Sequence, residues 1–173
     1  MASELHVDAI KHSGGTSALT IDSSGRVLTP ARPAFRARLG DATGGFGTQG
    51  TLVFETEDFD IGGNYDTSNG RFTAPIAGIY WFCFDALTAT NTSGGANQSG
   101  DTIVMTFNIN GSAPTGGGTS YHYMQTINQN TITRVDIFQL SANDYVTVNF
   151  TSEFAYSDNN PIYDPVFQGF LVG

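Results

Sequence analysis

The segment GRFTAPIAGIYWFCF at residues 70–84 constrains the fold more than any other part of the sequence. A turn and a proline lead into a run in which Tyr80, Phe82 and Phe84 alternate with Trp81 and a cysteine. Because successive side chains of a β-strand point to opposite faces, this run is apolar on both faces. A strand of this kind is packed on both sides. We therefore predict a central strand of a β-sandwich, or one that also meets another subunit.

Similar strand candidates follow one another from residue 31 to residue 173. AFRARL places Phe35 and Ala37 on one face and arginines on the other, and Asn110-Gly111 is a strong signal for a two-residue hairpin turn. TITRVDIFQL and DYVTVNFTSEF are further candidates around the turn SAND, and PVFQGFLVG is the last. Charged residues make up only 13% of the chain, and no helical period is visible. These features predict an all-β sandwich or jelly roll over residues 31–173, which we call the head.

Residues 1–30 are organised differently, and we call them the arm. The pieces LHVDAI, SALTID and RVLTP alternate weakly and are separated by Gly/Ser turns, which predicts short strand-like pieces. The segment holds too few apolar side chains to form a core of its own. We therefore expect a short, extended arm that is stabilised by the head, by a symmetry mate or by a larger assembly.

The net charge lies on residues 34–173, which are all but the first three residues of the head. Residues 1–33 carry three basic and three acidic residues, and residues 34–173 carry four arginines and thirteen acidic residues, so 4 − 13 accounts for the whole formal charge of −9. An acidic head repels phosphate backbones, and we expect no nucleic-acid partner. No apolar stretch approaches the roughly 20 residues of a membrane helix, so we expect no membrane insertion. The single cysteine, Cys83, excludes an intrachain disulfide.

Three separated motifs resemble one known family. Residues 64–82 read N-Y-D-x-x-x-G-x-F-x-A-P-x-x-G-x-Y-x-F, residues 140–148 read L-x-x-x-D-x-V-x-V, and residues 167–171 read F-x-G-F-L. In this order they resemble the globular-head family of complement component 1, subcomponent q, within the tumour-necrosis-factor-like superfamily. Many family members carry a cysteine before the proline, where this chain has Ala74. The matching residues are Gly70, Phe72, Pro75, Gly78, Tyr80, Phe82, Leu140, Asp144, Val146, Val148, Phe167, Gly169, Phe170 and Leu171.

The resemblance implies a ten-stranded antiparallel jelly roll that assembles as a compact homotrimer. The alternation in residues 80–84 agrees with this. We expect the Phe/Tyr face to fill the sandwich and Trp81 or its neighbours to help close the sandwich or the trimer. The candidate core and trimer residues are Tyr80, Trp81, Phe82, Phe84, Phe167 and Phe170.

A calcium site is also implied, because some family members bind Ca²⁺ near the trimer apex through loop carboxylates. The candidates here are Asp101, Asp158 and Asp164. The alternative explanation is that they are polar turn residues without a metal. The sequence implies no other cofactor.

We find no motif for catalysis. None of the three histidines lies in a recognisable catalytic motif, and there is no G-x-S-x-G sequence. We therefore expect no enzymatic activity. The segment SYHYMQ places Tyr121, His122 and Tyr123 together. These side chains either contact a glycan or protein ligand or form a subunit contact.

The arm has a resemblance of its own. Residues 17–35, SALTIDSSGRVLTPARPAF, resemble connecting segments of bacteriophage tail-fibre and other virion proteins. Together the two resemblances imply a non-enzymatic virion structural protein, a trimeric head anchored by its arm to other virion proteins. It would act as a short fibre, a tip, or a capsid or tail decoration, and contact with a host surface is an open role. The alternatives are a capsid cement protein without a receptor role and a soluble module that recognises a glycan or protein.

Overall fold

A computed structural model describes residues 5–39, 50–89, 102–115, 119–123, 129–152 and 162–173 of the chain. Within these ranges the backbone forms fourteen β-strands and no helix, and every strand pairing is antiparallel. The all-β antiparallel prediction is confirmed for this part of the chain. No helix in these ranges is long and apolar enough to cross a membrane.

The arm folds into a small sheet of its own. Its strands are β1 (Ala9–Lys11), β2 (Ser17–Ile21) and β3 (Val27–Leu28), and they pair in the order β1-β2-β3. They correspond to the three alternating pieces of the sequence. We expected an extended arm, and this prediction is wrong. The Gly/Ser turns fold the chain back on itself twice. We call this unit the arm sheet.

The head consists of two sheets. The five-stranded sheet has the order β12-β9-β14-β4-β6 and the six-stranded sheet the order β11-β10-β13-β8-β7, with β5 also paired to β13. The strands of the first are β12 (Gln129–Leu140), β9 (Gly78–Ala89), β14 (Ile162–Leu171), β4 (Ala34–Arg38) and β6 (Thr56–Ile61). Those of the second are β11 (Thr119–Tyr123), β10 (Thr102–Ile109), β13 (Tyr145–Ser152), β8 (Arg71–Thr73), β7 (Tyr65–Asp66) and β5 (Gly50–Thr51).

Aromatic side chains fill the space between the two sheets. Tyr80, Phe82 and Phe84 on the central strand β9 are fully buried. Phe35 of the five-stranded sheet stacks on Phe72 of the six-stranded sheet, with ring centroids 4.7 Å apart. Burying each such side chain stabilises the fold by roughly 1.5–3 kcal/mol. The Phe/Tyr face of the opening segment therefore lies in the core, as expected.

Gly169 allows one of these rings to lie close to the neighbouring strand. It pairs with Phe82 across β14 and β9. A Cβ atom at this position would lie 2.5 Å from Cδ1 of Phe82 and 2.8 Å from the carbonyl oxygen of Trp81. Such distances are far shorter than van der Waals contact, so only glycine fits without displacing the ring. The F-x-G-F-L motif thus has a packing explanation.

The predicted Asn110-Gly111 turn is confirmed. Both residues have positive φ values, 51° and 82°. Ile109 and Ser112 exchange backbone hydrogen bonds of 2.8 and 3.0 Å across the turn. Positive φ at both central positions is the requirement of a type I′ turn, which explains the asparagine and glycine.

The number of strands is not confirmed. The described part of the head contains eleven strands where ten were expected. The difference comes from very short strands, since β5 and β7 each have only two residues. Pairings of this length carry little hydrophobic signal in a sequence.

Candidate functional site

The five-stranded sheet has a second apolar face, which points away from the core and which we call the outer face. Because side chains alternate along a strand, Trp81 lies on the face opposite to its buried neighbours Tyr80 and Phe82. Its direct partners are Ile137 on β12 and Phe170 on β14. The sheet therefore presents aromatic and aliphatic side chains on both faces. This is the pattern of a sheet that is packed on both sides.

One row of this face is apolar from edge to edge. It runs across all five strands in register, through Ile137, Trp81, Phe170, Ala34 and Ile61. The Trp81 and Phe170 rings contact each other, with centroids 5.2 Å apart.

Large side chains around this row are exposed in the single chain. The exposed fractions are 59% for Ile137, 48% for Val135, 45% for Ile79, 41% for Ile61 and 40% for Phe170. A contiguous apolar surface of this kind on a sheet face marks a contact with another molecule. We call it the outer patch, and its residues are Phe59, Ile61, Ile79, Trp81, Val135, Ile137, Phe170 and Val172.

The apolar character of the outer face changes along the strands. The outer patch is concentrated where β4 begins, next to the arm: Ala34 pairs with Ile61, and the carbonyl of Pro33 accepts a hydrogen bond of 3.0 Å from Leu171. Farther along β4 the face becomes polar. There Arg38 Nε donates to Asp58 Oδ1 at 2.9 Å, and Arg36 also pairs with Asp58. The face is thus apolar at the arm end and charged at the other end.

Cys83 lies on the outer face between the two ends. It is 5% exposed, and its thiol donates to Asp85 Oδ2 at 3.2 Å. Burial, together with the hydrogen bond and the negative charge of Asp85, raises the pKa of the thiol to about 12. A thiol with this pKa is neutral at physiological pH and is a poor nucleophile.

The outer face is mainly a binding surface. Within the described ranges there is no group of three or more His, Cys, Asp or Glu side chains that could hold a metal ion. On this face Arg36 and Arg38 each form an ion pair with Asp58, and Asp85 accepts the hydrogen bond of the Cys83 thiol. What this arrangement can do chemically is bury apolar area against another protein surface.

The structure places the predicted core and trimer residues in two groups. Tyr80, Phe82, Phe84 and Phe167 are 0% exposed between the sheets. Trp81 and Phe170 lie together on the outer face.

The predicted ligand residues lie in β11, at the edge of the six-stranded sheet. Tyr121, His122 and Tyr123 pair there with residues 104, 103 and 102 of β10. The structure describes their backbone only, so their role as a ligand or subunit contact stays a prediction.

Of the three predicted calcium ligands, one lies among the described residues. Asp164 is exposed in β14 and has a φ of 48°, at the irregularity where the pairing with β9 shifts. Asp101 and Asp158 lie outside the described ranges. The calcium site therefore stays a prediction.

The sequence reasoning missed the aliphatic part of the outer patch. Val135 and Ile137 belong to TITRVDIFQL, whose alternate residues Ile132 and Phe138 are buried in the core. This strand is therefore apolar on both faces, like β9. The signal was present in the sequence, because apolar residues occupy both alternating sets of positions in this strand.

The family profile of the C1q domain matches residues 34–172. The chain belongs to the C1q family. The match spans both sheets of the head, including the outer patch and the core. C1q domains are non-enzymatic recognition modules that typically self-associate as trimers and bind ligands. The resemblance of the three motifs is thereby confirmed, and the family agrees with the expectation that the chain is not an enzyme.

A solved structure agrees with this assignment at the level of the fold. The globular domain of zebrafish complement 1qA protein is 18% identical to this chain, with a TM-score of 0.62. The match covers 82% of this chain and 98% of that one. It confirms the jelly-roll architecture of the C1q domain. No match was found among the curated proteins, and the family match does not include residues 1–33, so the likeness of the arm to virion proteins is not confirmed.

Proposed function

We propose that this chain is a homotrimeric, non-enzymatic recognition head in which the outer faces of three C1q domains meet around a threefold axis. The observation that carries the proposal is the in-register apolar row from Ile137 to Ile61. Leaving such a row in water is unfavourable by about 25 cal/mol for each Å² of apolar surface. Association of three heads removes it from water.

The distribution of the outer patch supports a ring rather than a one-sided contact. Val135 and Ile137 lie on the edge strand β12, and Phe59 and Ile61 lie on the opposite edge strand β6. In a cyclic trimer the contact is heterologous, so one edge of each sheet meets the other edge of the next copy. A face that is apolar at both edges satisfies this requirement.

The six-stranded sheet then remains on the outside, where a ligand can reach it. Tyr121, His122 and Tyr123 lie on its edge strand. In β8 and β13, the guanidinium of Arg71 lies over the Tyr145 ring, 4.3 Å from its centroid. We propose that a glycan or protein ligand is bound on this side, because tyrosine side chains provide contact area at a low cost in conformational entropy.

We further propose that the head works on a bacteriophage virion, to which the arm connects it. What supports this is the likeness of residues 17–35 to virion connecting segments. The trimer would be assembled in the host cytoplasm and act as a short fibre, tip or decoration. The alternatives are a cement protein and a soluble recognition module. Detection of the chain in purified particles tests this part, and particles without it would contradict the virion role.

The experiment that tests the trimer is the native mass of the full chain by light scattering. We expect a trimer for the wild type and a monomer for Ile137→Asp, because three carboxylates would be buried in the contact. Ala113→Asp adds the same charge at an exposed turn residue outside the outer face and should leave the trimer intact. A wild type that stays monomeric at high concentration would overturn the proposal.

The same measurement tests calcium. We propose that the carboxylates of Asp101, Asp158 and Asp164, the last of them in β14, hold a calcium ion that stabilises the trimer. Dissociation on adding EDTA, reversed by Ca²⁺, supports this role. A trimer that is indifferent to EDTA contradicts it without affecting the outer face.

A further inference from the structure

The arm sheet has an apolar face that is exposed in the single chain, and its strands do not pair with those in the described part of the head. Ile10 pairs with Leu19, and Ile21 pairs with Val27, so the four side chains lie on one face of the three strands. Of these, Ile10 is 52% exposed, Ile21 40% and Val27 62%. An apolar groove runs along the strands, lined by Val7, Ala9, Ile10, Leu19, Ile21 and Val27.

Residues of the arm itself nevertheless determine how its strands β2 and β3 are connected. In the β2–β3 turn, Asp22 accepts hydrogen bonds from the backbone N–H groups of Ser24 and Arg26, at 2.9 and 3.0 Å, and from Arg26 Nε at 2.7 Å. Gly25 in this turn has a φ of 77°, which suits glycine. These bonds hold the pKa of Asp22 below its ordinary value. A turn of defined geometry fixes the register between β2 and β3. The register in turn places Ile21 and Val27 on the same face.

A single three-stranded sheet of this size has no second layer to pack against. Stable domains are built from at least two layers around a core, and chains of this length do not provide one alone. The arm sheet therefore needs a partner that covers the face of Ile10, Leu19, Ile21 and Val27.

The position of the arm points to other copies of itself. Residues 29–33, TPARP, connect β3 to β4, and β4 begins in the apolar row of the outer face, with Ala34 between Phe170 and Ile61. Five residues span at most roughly 18 Å, and two prolines stiffen the link. In a trimer the three arm sheets are therefore held close to the threefold axis, at the apolar end of the three outer faces.

The charges of the arm permit this approach. The arm together with its link to β4, residues 1–33, carries three basic and three acidic residues and so has no net formal charge, whereas residues 34–173 carry −9. Three strongly acidic segments would repel one another at short range, whereas three copies of residues 1–33, which have no net charge, do not.

We propose that the arm sheets of three chains pack their apolar faces against one another and continue the core of the head trimer along the same axis. The inference rests on the proposed trimer. It assigns the partner of the arm to two further copies of this chain and makes the arm a short trimeric shaft.

The test uses two neighbouring residues that differ in the face they occupy. Val27 lies on the apolar face, and Leu28, which pairs with Thr20, lies on the opposite one. Both are exposed in the single chain. Val27→Asp and Leu28→Asp are made in the full chain. Native mass and amide hydrogen exchange of the arm are measured for each.

We expect the arm amides of the wild-type trimer to exchange at least about tenfold more slowly than those of an unfolded peptide. Val27→Asp should lose this protection while the head stays trimeric, and Leu28→Asp should keep it. The arm amides of Ile137→Asp should also lose their protection, although the arm sequence is unchanged. The heads of this variant are monomeric and no longer hold three arms close together.

The outcomes separate the two proposals. A monomeric wild type overturns the trimer and this inference with it. A trimeric wild type whose arm exchanges like an unfolded peptide overturns the inference alone, as does protection that appears only on a particle, since another protein then covers the arm. Equal effects of Val27→Asp and Leu28→Asp also contradict it.

Discussion

Trp81 and Phe170 lie directly opposite each other on β9 and β14, with ring centroids 5.2 Å apart, on the side of the sheet that faces away from the core. Phe170 is 40% exposed in the single chain. A contact between two large aromatic rings on an open sheet face resembles the centre of a protein interface more than an ordinary surface. In the trimer that we propose, the pair belongs to a second core that only association completes.

Removing this pair should weaken association more than folding. We expect Trp81→Ala and Phe170→Ala each to weaken the trimer by about 2 kcal/mol or more, as interface hot spots do. Phe167→Ala is the matched control, because Phe167 lies on the same strand as Phe170 but is fully buried between the sheets. It should lower the free energy of unfolding by about 3–5 kcal/mol.

Dilution in light scattering measures the first effect, and denaturant unfolding of the dissociated chain measures the second. If Trp81→Ala destabilises the single chain as strongly as Phe167→Ala, Trp81 belongs to the inner core and not to the outer patch.

Gly169→Ala should destabilise the head through overpacking. The added methyl group would press against the Phe82 ring and the carbonyl oxygen of Trp81. We expect a loss of about 1–3 kcal/mol in thermal or denaturant unfolding. Gly173→Ala is the control, since a Cβ there meets nothing within 4 Å, and its effect should stay within about 0.5 kcal/mol. Equal stabilities of the two variants would contradict the close packing of β14 on β9.

The fold could be predicted from the sequence because its signals are local. The alternation in β9 gives two apolar faces, and the pair Asn110-Gly111 gives a turn that needs positive φ. The order and pairing of the strands were not predicted, because residues that pair, such as Gly169 and Phe82, are 87 positions apart in the chain. No local pattern encodes such a distance.

The candidate site was predicted only in part. Trp81 and Phe170 were recognised, but Ile61 and Ile137 were not, because they join the apolar row only after four pairings bring five strands into register. A one-residue slip in any of these pairings would turn the side chains to the other face. Register is a property of the folded sheet, and the sequence of one strand does not contain it.

The turn between β12 and β13 should make the head sensitive to acid. The side chain of Asn110 donates to Asp144 Oδ1 at 2.8 Å, and the backbone N–H of Ser141 donates to Asp144 Oδ2 at 2.7 Å. These bonds hold the pKa of Asp144 below its ordinary value of 3.8. Because the folded state binds this proton more weakly than the unfolded state, the stabilisation is present above about pH 4 and is lost as the pH falls below it.

Asp144→Asn should therefore lower stability at pH 7 and flatten the loss of stability that the wild type shows as the pH falls below about 4. Glu55→Gln removes an exposed carboxylate of the head that has no proposed role and is the control. The measurement is denaturant unfolding across this pH range. A pH dependence of Asp144→Asn identical to that of the wild type would show that the turn does not depend on the charge.

Cys83 should resist thiol reagents in the folded chain. Its pKa is raised to about 12, first by burial and then by Asp85, so almost no thiolate is present at pH 8. We expect slow labelling of the native protein and fast labelling in denaturant. Asp85→Asn removes the negative charge and should speed native labelling.

The same thiol predicts a loss of stability in base. The folded pKa of Cys83 lies above its ordinary value of 9.0, so between about pH 9 and pH 12 the unfolded state releases a proton that the native state keeps. Stability therefore falls as the pH rises through this range. Cys83→Ser should flatten the fall between pH 9 and pH 10, before tyrosines ionise in the unfolded chain. Native labelling as fast as labelling in denaturant would show that the thiol is not buried on the outer face.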